Sequence, residues 1–374
     1  MKIAIDASNL SGKKTGIDFM TEGIIEGFAS FPEHKYLIYV TEKFRRGKGM
    51  ISVVDQNPGK FEVVRIKKPS GVASGLRWYL SATRDMRRKQ VDAFISTWTF
   101  TASLLFPRTI QIIPDLSPFV FPQMYKRKHR FMFRLTLWLA TLRAWKFVTI
   151  SEAMVAEIRD RYPKLKQTVT AIPLSLNNWA LQRVTGKQTQ DVIQKYQLPD
   201  NYLISISTIQ PRKNYENMLK AFAMFSHLHP EYHYLIVGQK GWLFDEVFAL
   251  VKNMQIKDKV QFLDYAPDAD LPALLDRSSG LMYASFYEGF GIPALNAAYR
   301  GVPVLVSELP VFREILTEKQ AVFVNPHVAD SIARGIEQLV DKSRKRNYTV
   351  RDEEILHKFS WKNAAAKLIE TAGS

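Results

Sequence analysis

The stretch GLMYASFYEGFGIPALNAAYRGVPVLVS, residues 280–307, decides the fold. GLMYAS (280–285) and VPVLVS (302–307) are apolar runs of strand length, and 293–300 between them has the composition of a short helix. Pro293 suits the first helical turn, where its missing N–H costs nothing, and Gly301 suits the exit. The loop Glu288-Gly289-Phe290-Gly291-Ile292 therefore lies at a strand's carboxyl end and a helix's amino end. Free backbone N–H groups and the helix dipole favour an anion there, and the glycines let a ligand approach the backbone. A carboxylate beside such a site repels the anion itself, so Glu288 is expected to face a neutral hydroxylated group attached to it. Asn296, one turn beyond Pro293, is expected to reach a neighbouring part of the same ligand.

The same alternation runs along the whole chain. Further strand candidates are KIAIDA (2–7), KYLIYV (35–40), FEVVRI (61–66), VDAFIST (91–97), TIQIIPD (109–115) and KFVTIS (146–151). YLISIS (202–207), HYLIVG (233–238) and VQFLDY (260–265) complete the set. Several are β-branched and nearly continuous in apolar character, the mark of parallel strands buried on both faces. Amphipathic stretches at 216–227 and 330–340 lie between them. Strand–helix repetition of this kind implies doubly wound α/β sheets. At 374 residues the chain is too long for one ordinary core. The polar, aperiodic segment SLNNWALQRVTGKQTQ (175–190) marks the linker, giving domains over 1–180 and 190–359. The tail SWKNAAAKLIETAGS (360–374) reads as a helix capped by Ser360, placed to cross back onto the first domain.

Composition narrows the class. The chain is 46% hydrophobic and 24% charged, so it is globular rather than disordered. It has no cysteine, which excludes disulfides and thiolate–metal sites and fits a cytoplasmic protein. MKIAIDASNL carries Asp6 inside its apolar run, so it reads as a first strand and not as a signal peptide. No apolar segment approaches the roughly 18 residues needed to span a bilayer.

The net charge is +16, and it is unevenly spread. Residues 1–190 hold 31 Lys and Arg against 14 Asp and Glu, whereas 191–374 hold 21 against 22. The N-terminal half therefore calls for an anionic partner: nucleic acid, an acidic membrane leaflet or a phosphorylated acceptor. YKRKHRFMFRLTLWLATLRAWK (125–146) concentrates this charge in Lys126, Arg127, Lys128 and Arg130. Phe131, Leu135, Trp138, Leu142 and Trp145 follow at helical spacing, and that stripe is expected to pack on the first sheet. The basic cluster suits an anionic bilayer surface. No recognisable nucleic-acid module accompanies it, so the membrane is the preferred partner and nucleic acid is not expected.

Arg212 and Lys213 follow strand YLISIS, again at a carboxyl end. Two cations there can neutralise a diphosphate, Arg with a fork and Lys with a point charge. A helix dipole favours acids at that end, which makes a merely solvated pair the less comfortable reading. Glycine corner, acid and cations together fit a sugar joined to a diphosphate. In the first domain, SGKKTGIDF (11–19) joins the first strand to the first helix and contains Gly16. IIPDLSPFVFP (112–122) places Asp115 after a strand, as a site residue or as a turn residue before a proline-rich loop. No His/carboxylate metal cluster is evident, so no metal and no other cofactor is expected.

EGFGIPALNAAYRGVPVLVS (288–307), STIQPRKNYENMLKAF (207–222), LIVGQKGW (235–242) and FLDYAPDADLPALLDRSSGLMYASFYEGFGIP (262–293) have an order and spacing of their own. They resemble the retaining glycosyltransferases of family 4, the group 1 glycosyl transferases. The similarity covers nearly the whole chain and is more specific in its second half. It implies the GT-B architecture, two Rossmann-like doubly wound domains facing a cleft, with donor mainly on the second and acceptor on the first. The implied reaction moves a sugar from a nucleoside diphosphate to a hydroxyl with retention at the anomeric carbon. The resemblance gives Glu288 the donor's hydroxyls and Arg212 and Lys213 its diphosphate. It gives further donor contacts to Gly289, Phe290, Gly291, Ile292 and Gly238, and a phosphate contact to Gly16. Asp18 stands where the family has a second glycine, Asn296 where it has a ribose-binding acid, and Pro114 where it has a histidine before Asp115.

Two of those departures bear on the donor. A glutamate can accept from both vicinal hydroxyls of a ribose, whereas asparagine offers one acceptor and a donor. Pro114 removes a polar partner near the sugar. Both changes are compatible with a dTDP-linked 6-deoxyhexose such as rhamnose. The expected acceptor is a lipid-linked glycan at the inner face of a bacterial membrane, in surface polysaccharide assembly, with the protein peripheral to that membrane. GDP-mannose- or UDP-hexose-dependent transfer, and a non-catalytic scaffold, are the alternatives. Glu288, Arg212 and Lys213 being intact favours an enzyme.

Overall fold

The computed structural model describes residues 1–10, 16–44, 53–70, 74–97, 100–241, 244–344 and 351–374. They form two units, Met1–Ser175 with Phe359–Ser374, and Leu176–Lys358. The first contains β1 (Lys2–Asp6), β2 (Lys35–Thr41), β3 (Phe61–Ile66), β4 (Ala93–Ser96), β5 (Thr109–Ile113), β6 (Lys146–Thr149) and β7 (Val169–Ala171). The second contains β8 (Asn201–Ile206), β9 (Tyr232–Val237), β10 (Val260–Leu263), β11 (Gly280–Tyr283), β12 (Val304–Ser307) and β13 (Ala321–Val324). All the strand runs read from the sequence are present. β7 and β13 are additional: β7 has only 3 residues, whereas AVFV in β13 is as long as KFVT in β6 and was open to the same reading.

Both sheets are wholly parallel, ordered β3-β2-β1-β4-β5-β6-β7 and β10-β9-β8-β11-β12-β13. Every residue of β4, β5 and β6 is buried, including polar Ser96, Gln111 and Lys146 among mostly apolar and β-branched neighbours. In the second unit the chain winds from β8 outward to β10, then returns to β11 on β8's other side. The connections leaving β8 and β11 thus run in opposite directions and open a crevice at their carboxyl ends. Helix Tyr215–Leu228, which follows β8, buries Tyr215, Met218, Leu219, Phe222 and Phe225 at helical spacing against this sheet.

The tail helix Trp361–Gly373 belongs to the first unit, where it lies along helix Gly16–Phe28. Ser360 caps it, its Oγ accepting from Asn363 N at 3.2 Å. The Trp361 ring meets Phe19 edge-on at 5.2 Å. At the far end, Lys146 Nζ donates to Thr371 O at 2.8 Å and Ser374 Oγ at 2.6 Å. The two helices approach closely because Gly27 has no side chain: a Cβ there would lie 2.1 Å from the Trp361 carbonyl oxygen.

The boundary between the units, Ser175/Leu176, falls at the start of the segment read as the linker; from Leu176 onward that segment is part of the second unit, where Trp179 and Ala180 are buried and Thr185 caps helix Gly186–Tyr196 with a reciprocal Gln188 bond. One expectation needs correction: the stripe in helix Arg127–Arg143 does not pack inward. Phe131, Trp138 and Leu142 are 65%, 52% and 57% exposed, and it is Leu137 and Ala140 that are fully buried. Small and medium side chains on the opposite face let the helix sit close to its neighbours, leaving the bulky rings outside. Trp145 lies beyond the helix, with its ring under Arg108 and Lys146. Among the described residues no helix is long and apolar enough to cross a membrane.

The Gly27 contact generates a stability prediction. Gly27→Ala gains about 1 kcal/mol of helix propensity but forces a Cβ against backbone that no rotamer change can relieve. A net loss of about 2–4 kcal/mol is expected in urea unfolding. A variant as stable as the parent would show that the two helices part at little cost.

Candidate active site

The site begins at the carboxyl end of β8. Pro211 opens a single 3-10 turn, Pro211–Lys213, and Asn214 ends it at φ 59, ψ 35, a left-handed conformation that asparagine tolerates. Asn214 Nδ2 donates to Ala284 O at 2.8 Å and Pro326 O at 2.7 Å, binding this turn to the loops after β11 and β13. Phe286 N donates to Arg212 O at 2.9 Å. The turn carrying the cations is thereby held against the loop carrying the acid.

The side chains converge. Arg212 Nη1 donates to Glu288 Oε2 at 3.0 Å and to Tyr287 O at 2.7 Å. Lys213 Nζ donates to Glu288 Oε1 at 2.6 Å and to the Tyr283 hydroxyl at 2.6 Å. Glu288 was expected to face a neutral group; in the structure it meets the cations themselves. The reason is burial. Its side chain is 7% exposed, and an unanswered carboxylate at that depth would cost several kcal/mol. Burial pushes its pKa up, but the charges of Arg212 and Lys213 outweigh that and hold it at about 2. Lys213 also lies 4.7 Å from the Tyr283 ring centroid. Burial, with Glu288 nearby, pushes the Tyr283 phenol well above its ordinary value, so it stays neutral. Two cations and one carboxylate leave the cluster with one net positive charge.

The glycine corner closes one side. Gly291 sits at φ 105, and a Cβ there would fall 2.5 Å from a ring carbon of Phe312. Phe312 in turn meets Tyr283 edge-on at 5.9 Å. Phe290 is a core residue, 2% exposed, and Gly289 is buried beside Glu288. Ile292 starts the helix Ile292–Tyr299, with Pro293 in its first turn. At its exit, buried Arg300 makes a bidentate pair with Asp276 at 2.7 and 2.5 Å and donates to Ala180 O and Gln182 O. Gly238 follows β9, and a Cβ there would meet Ser207 O at 1.9 Å, so packing alone requires glycine.

Asn296 lies in helix Ile292–Tyr299 and has partners within the protein. It is 1% exposed; its Oδ1 accepts from Asn177 N at 3.0 Å and its Nδ2 donates to Asn177 Oδ1 at 2.7 Å. The amide is engaged within the second unit, and Asn177 was missed because it sat in the presumed linker. Tyr283 and Asn214 were also missed. Position at the carboxyl ends of β11 and β8 was the available signal for both.

The remaining candidates lie in the first unit. Asp115 Oδ1 accepts from Ser117 N at 3.1 Å and Ser117 Oγ at 2.7 Å, the geometry of a turn residue. Gly16 opens helix Gly16–Phe28; among the described residues no atom beyond its chain neighbours and its own helix backbone lies within 4 Å of its would-be Cβ, and residues 11–15 of its loop fall outside the described residues. Asp18 is buried and accepts from Asn9 Nδ2 at 2.6 Å. Lys126, Arg127 and Lys128 are exposed, whereas half-buried Arg130 donates to Pro122 O at 3.1 Å. Among the described residues no group of three or more His, Cys, Asp or Glu could hold a metal ion.

Comparison with known proteins agrees with this arrangement. The model of the family described as glycosyl transferases group 1 matches residues 187–353. O-antigen chain mannosyltransferase RfbU of Salmonella typhimurium is 31% identical over 261 residues, covering 69% of either chain. O-antigen chain mannosyltransferase B of Escherichia coli is 29% identical over 265 residues, 70% of this chain and 69% of the relative. Among solved structures, Anabaena HepE in complex with UDP and glucose superposes with a TM-score of 0.73 over 100% of this chain and 99% of its own, at 17% identity. Sucrose-phosphate synthase from Thermosynechococcus elongatus gives 0.74 over 99% and 98%, at 15% identity. At such identities these two speak for the fold alone. A parallel-sheet pair of GT-B type and a relative this similar over two thirds of its length lead to one conclusion: the chain belongs to the group 1 glycosyl transferases and is a glycosyltransferase.

Proposed function

We propose that the protein is a retaining hexosyltransferase that moves mannose from GDP-mannose to a hydroxyl of a lipid-linked glycan in bacterial surface polysaccharide assembly. The observation that carries the transfer chemistry is the Arg212–Lys213–Glu288 cluster at the point where the second sheet reverses its winding. The two O-antigen mannosyltransferase relatives support mannose. The case for dTDP-rhamnose leaned on Asn296 reading a ribose, and its amide is instead engaged by Asn177. Mannose is therefore the preferred sugar, and the polar gap at Pro114 is left without a structural account.

The geometry suits a leaving-group mechanism. The bond from the anomeric carbon to the diphosphate oxygen breaks with its electron pair on that oxygen. Arg212, Lys213 and the amides of the glycine corner stabilise the charge that develops. The acceptor oxygen bonds the anomeric carbon on the same face, and its proton passes to the departing phosphate. Glu288, ionised near neutrality, is unsuited to general acid work but can accept from sugar hydroxyls with its remaining lone pairs. Tyr283 positions Lys213 through its hydroxyl. No metal is needed in this scheme, because two side-chain cations meet the diphosphate. Exposed Lys126, Arg127 and Lys128 attract the first unit to the anionic inner face of the membrane, where the acceptor resides.

Lys213→Met and Glu288→Gln are each expected to lower kcat for GDP-mannose by about 10²–10³-fold. Transfer at the parental rate by either variant would remove the cluster from the chemistry. In thermal-shift titration GDP-mannose should stabilise the protein more than UDP-glucose or dTDP-rhamnose; the reverse order would sink the mannose assignment. Absence of turnover with every donor would favour the scaffold reading.

The depressed Glu288 pKa also sets a pH dependence. A carboxylate that titrates at about 2 when folded and 4.5 when unfolded adds stability above pH 4.5, and that stability disappears as pH falls toward 2. The advantage of the parent over Glu288→Gln, on the order of 3 kcal/mol at neutral pH, should narrow across that window in chemical unfolding. A difference independent of pH would mean that the ion cluster is not formed in solution.

A further inference from the structure

Helix Arg127–Arg143 turns a built surface outward. Phe131, Leu135, Trp138 and Leu142 recur at i, i+4, i+7 and i+11, one stripe on a helix, and all are exposed, with Met132 beside them. The opposite face is anchored by fully buried Leu137 and Ala140, so the orientation of the stripe is set by packing. Segment 126–146 contains seven Lys and Arg and no Asp or Glu. At about 100° per residue, Arg127 and Arg134 flank the stripe on one side and Lys128 and Arg143 on the other. All four are exposed.

We infer that this helix is an interfacial anchor, lying in the plane of an anionic bilayer with Phe131, Leu135, Trp138 and Leu142 inserted among the acyl chains. The flanking cations sit at the depth of the lipid phosphates, and Trp138 suits the boundary between the two layers. The inference rests on the membrane part of the reading above and deepens it, because attraction by charge alone does not use the rings. A second copy of the chain fits the same face poorly. Two-fold pairing would set these cations against their own equivalents, with no acid in 126–146 to answer them.

The test uses the full chain with vesicles of phosphatidylcholine alone and of phosphatidylcholine mixed with phosphatidylglycerol. The parent should float with the anionic vesicles, retain part of that binding at about 1 M salt, where charges are screened beyond ~3 Å, and show a blue-shifted emission component that Trp138→Phe lacks. The triple variant Phe131→Ser/Leu135→Ser/Leu142→Ser keeps every charge and alters only exposed positions. Its vesicle partition should fall by about tenfold or more, with the remainder removed by salt and thermal unfolding unchanged. Leu142→Ser alone should give a smaller loss in the same direction. If the triple variant floats like the parent, insertion is wrong while electrostatic docking stands. If the parent binds no vesicle, both fall. A parental dimer in sedimentation that the triple variant dissolves would assign the face to a second copy and overturn the inference.

Discussion

A carboxylate buried to 7% exposure can exist in this fold only because two cations reach it, and much of the second unit is arranged to let them. Arg212 and Lys213 are 76 and 75 positions away from Glu288 along the chain. They meet because β8 and β11 are sheet neighbours although two strands intervene in sequence. The winding reversal that makes them neighbours also opens the space in front of them. Topology and charge are therefore one constraint. A different strand order would strand either an acid or two cations in the interior.

Around the cluster, the supporting groups are mostly neutral and act on backbone. Asn214 joins three loops through two carbonyls, and the Tyr283 hydroxyl accepts from the lysine amine. Phe312 touches both Tyr283 and the glycine corner, so the ring that limits Gly291 also steadies the phenol. Farther out, Arg300 with Asp276 and Asn296 with Asn177 lock the helix Ile292–Tyr299 to the segment entering the unit. The charged groups are few and the shell that orients them is large. This is the economy a preorganised electrostatic site requires.

The fold was largely legible in the chain. Runs rich in β-branched residues such as TIQII and KFVT announce strands, and a glycine corner before Pro293 announces a helix start. Glu288, Arg212 and Lys213 stood at carboxyl ends, where parallel sheets collect ligands. What could not be read depended on partners distant in sequence. Nothing local to Asn296 says that Asn177 will take its amide, and nothing local to Glu288 says that the cations will bind it directly. The helix Arg127–Arg143 misled for another reason. Its periodicity marks a face with a common environment, and spacing alone is silent on whether that environment is core or outside. A stripe bordered by arginine and lysine on both flanks, without one acid, was the local sign that it faced outward.

The placement of the tail helix has a temporal side. Residues 361–373 complete the first unit, yet a ribosome releases them only after every residue of the second. During translation helix Gly16–Phe28 must wait with Gly23 and Gly27 uncovered, and β6 with its Lys146 amine uncovered, while the later unit assembles. Domains ordinarily mature in the order of their synthesis. Here the half made first is the half finished last, and the face that receives the tail helix stays open to the nascent chain and to chaperones while residues 176–358 are made.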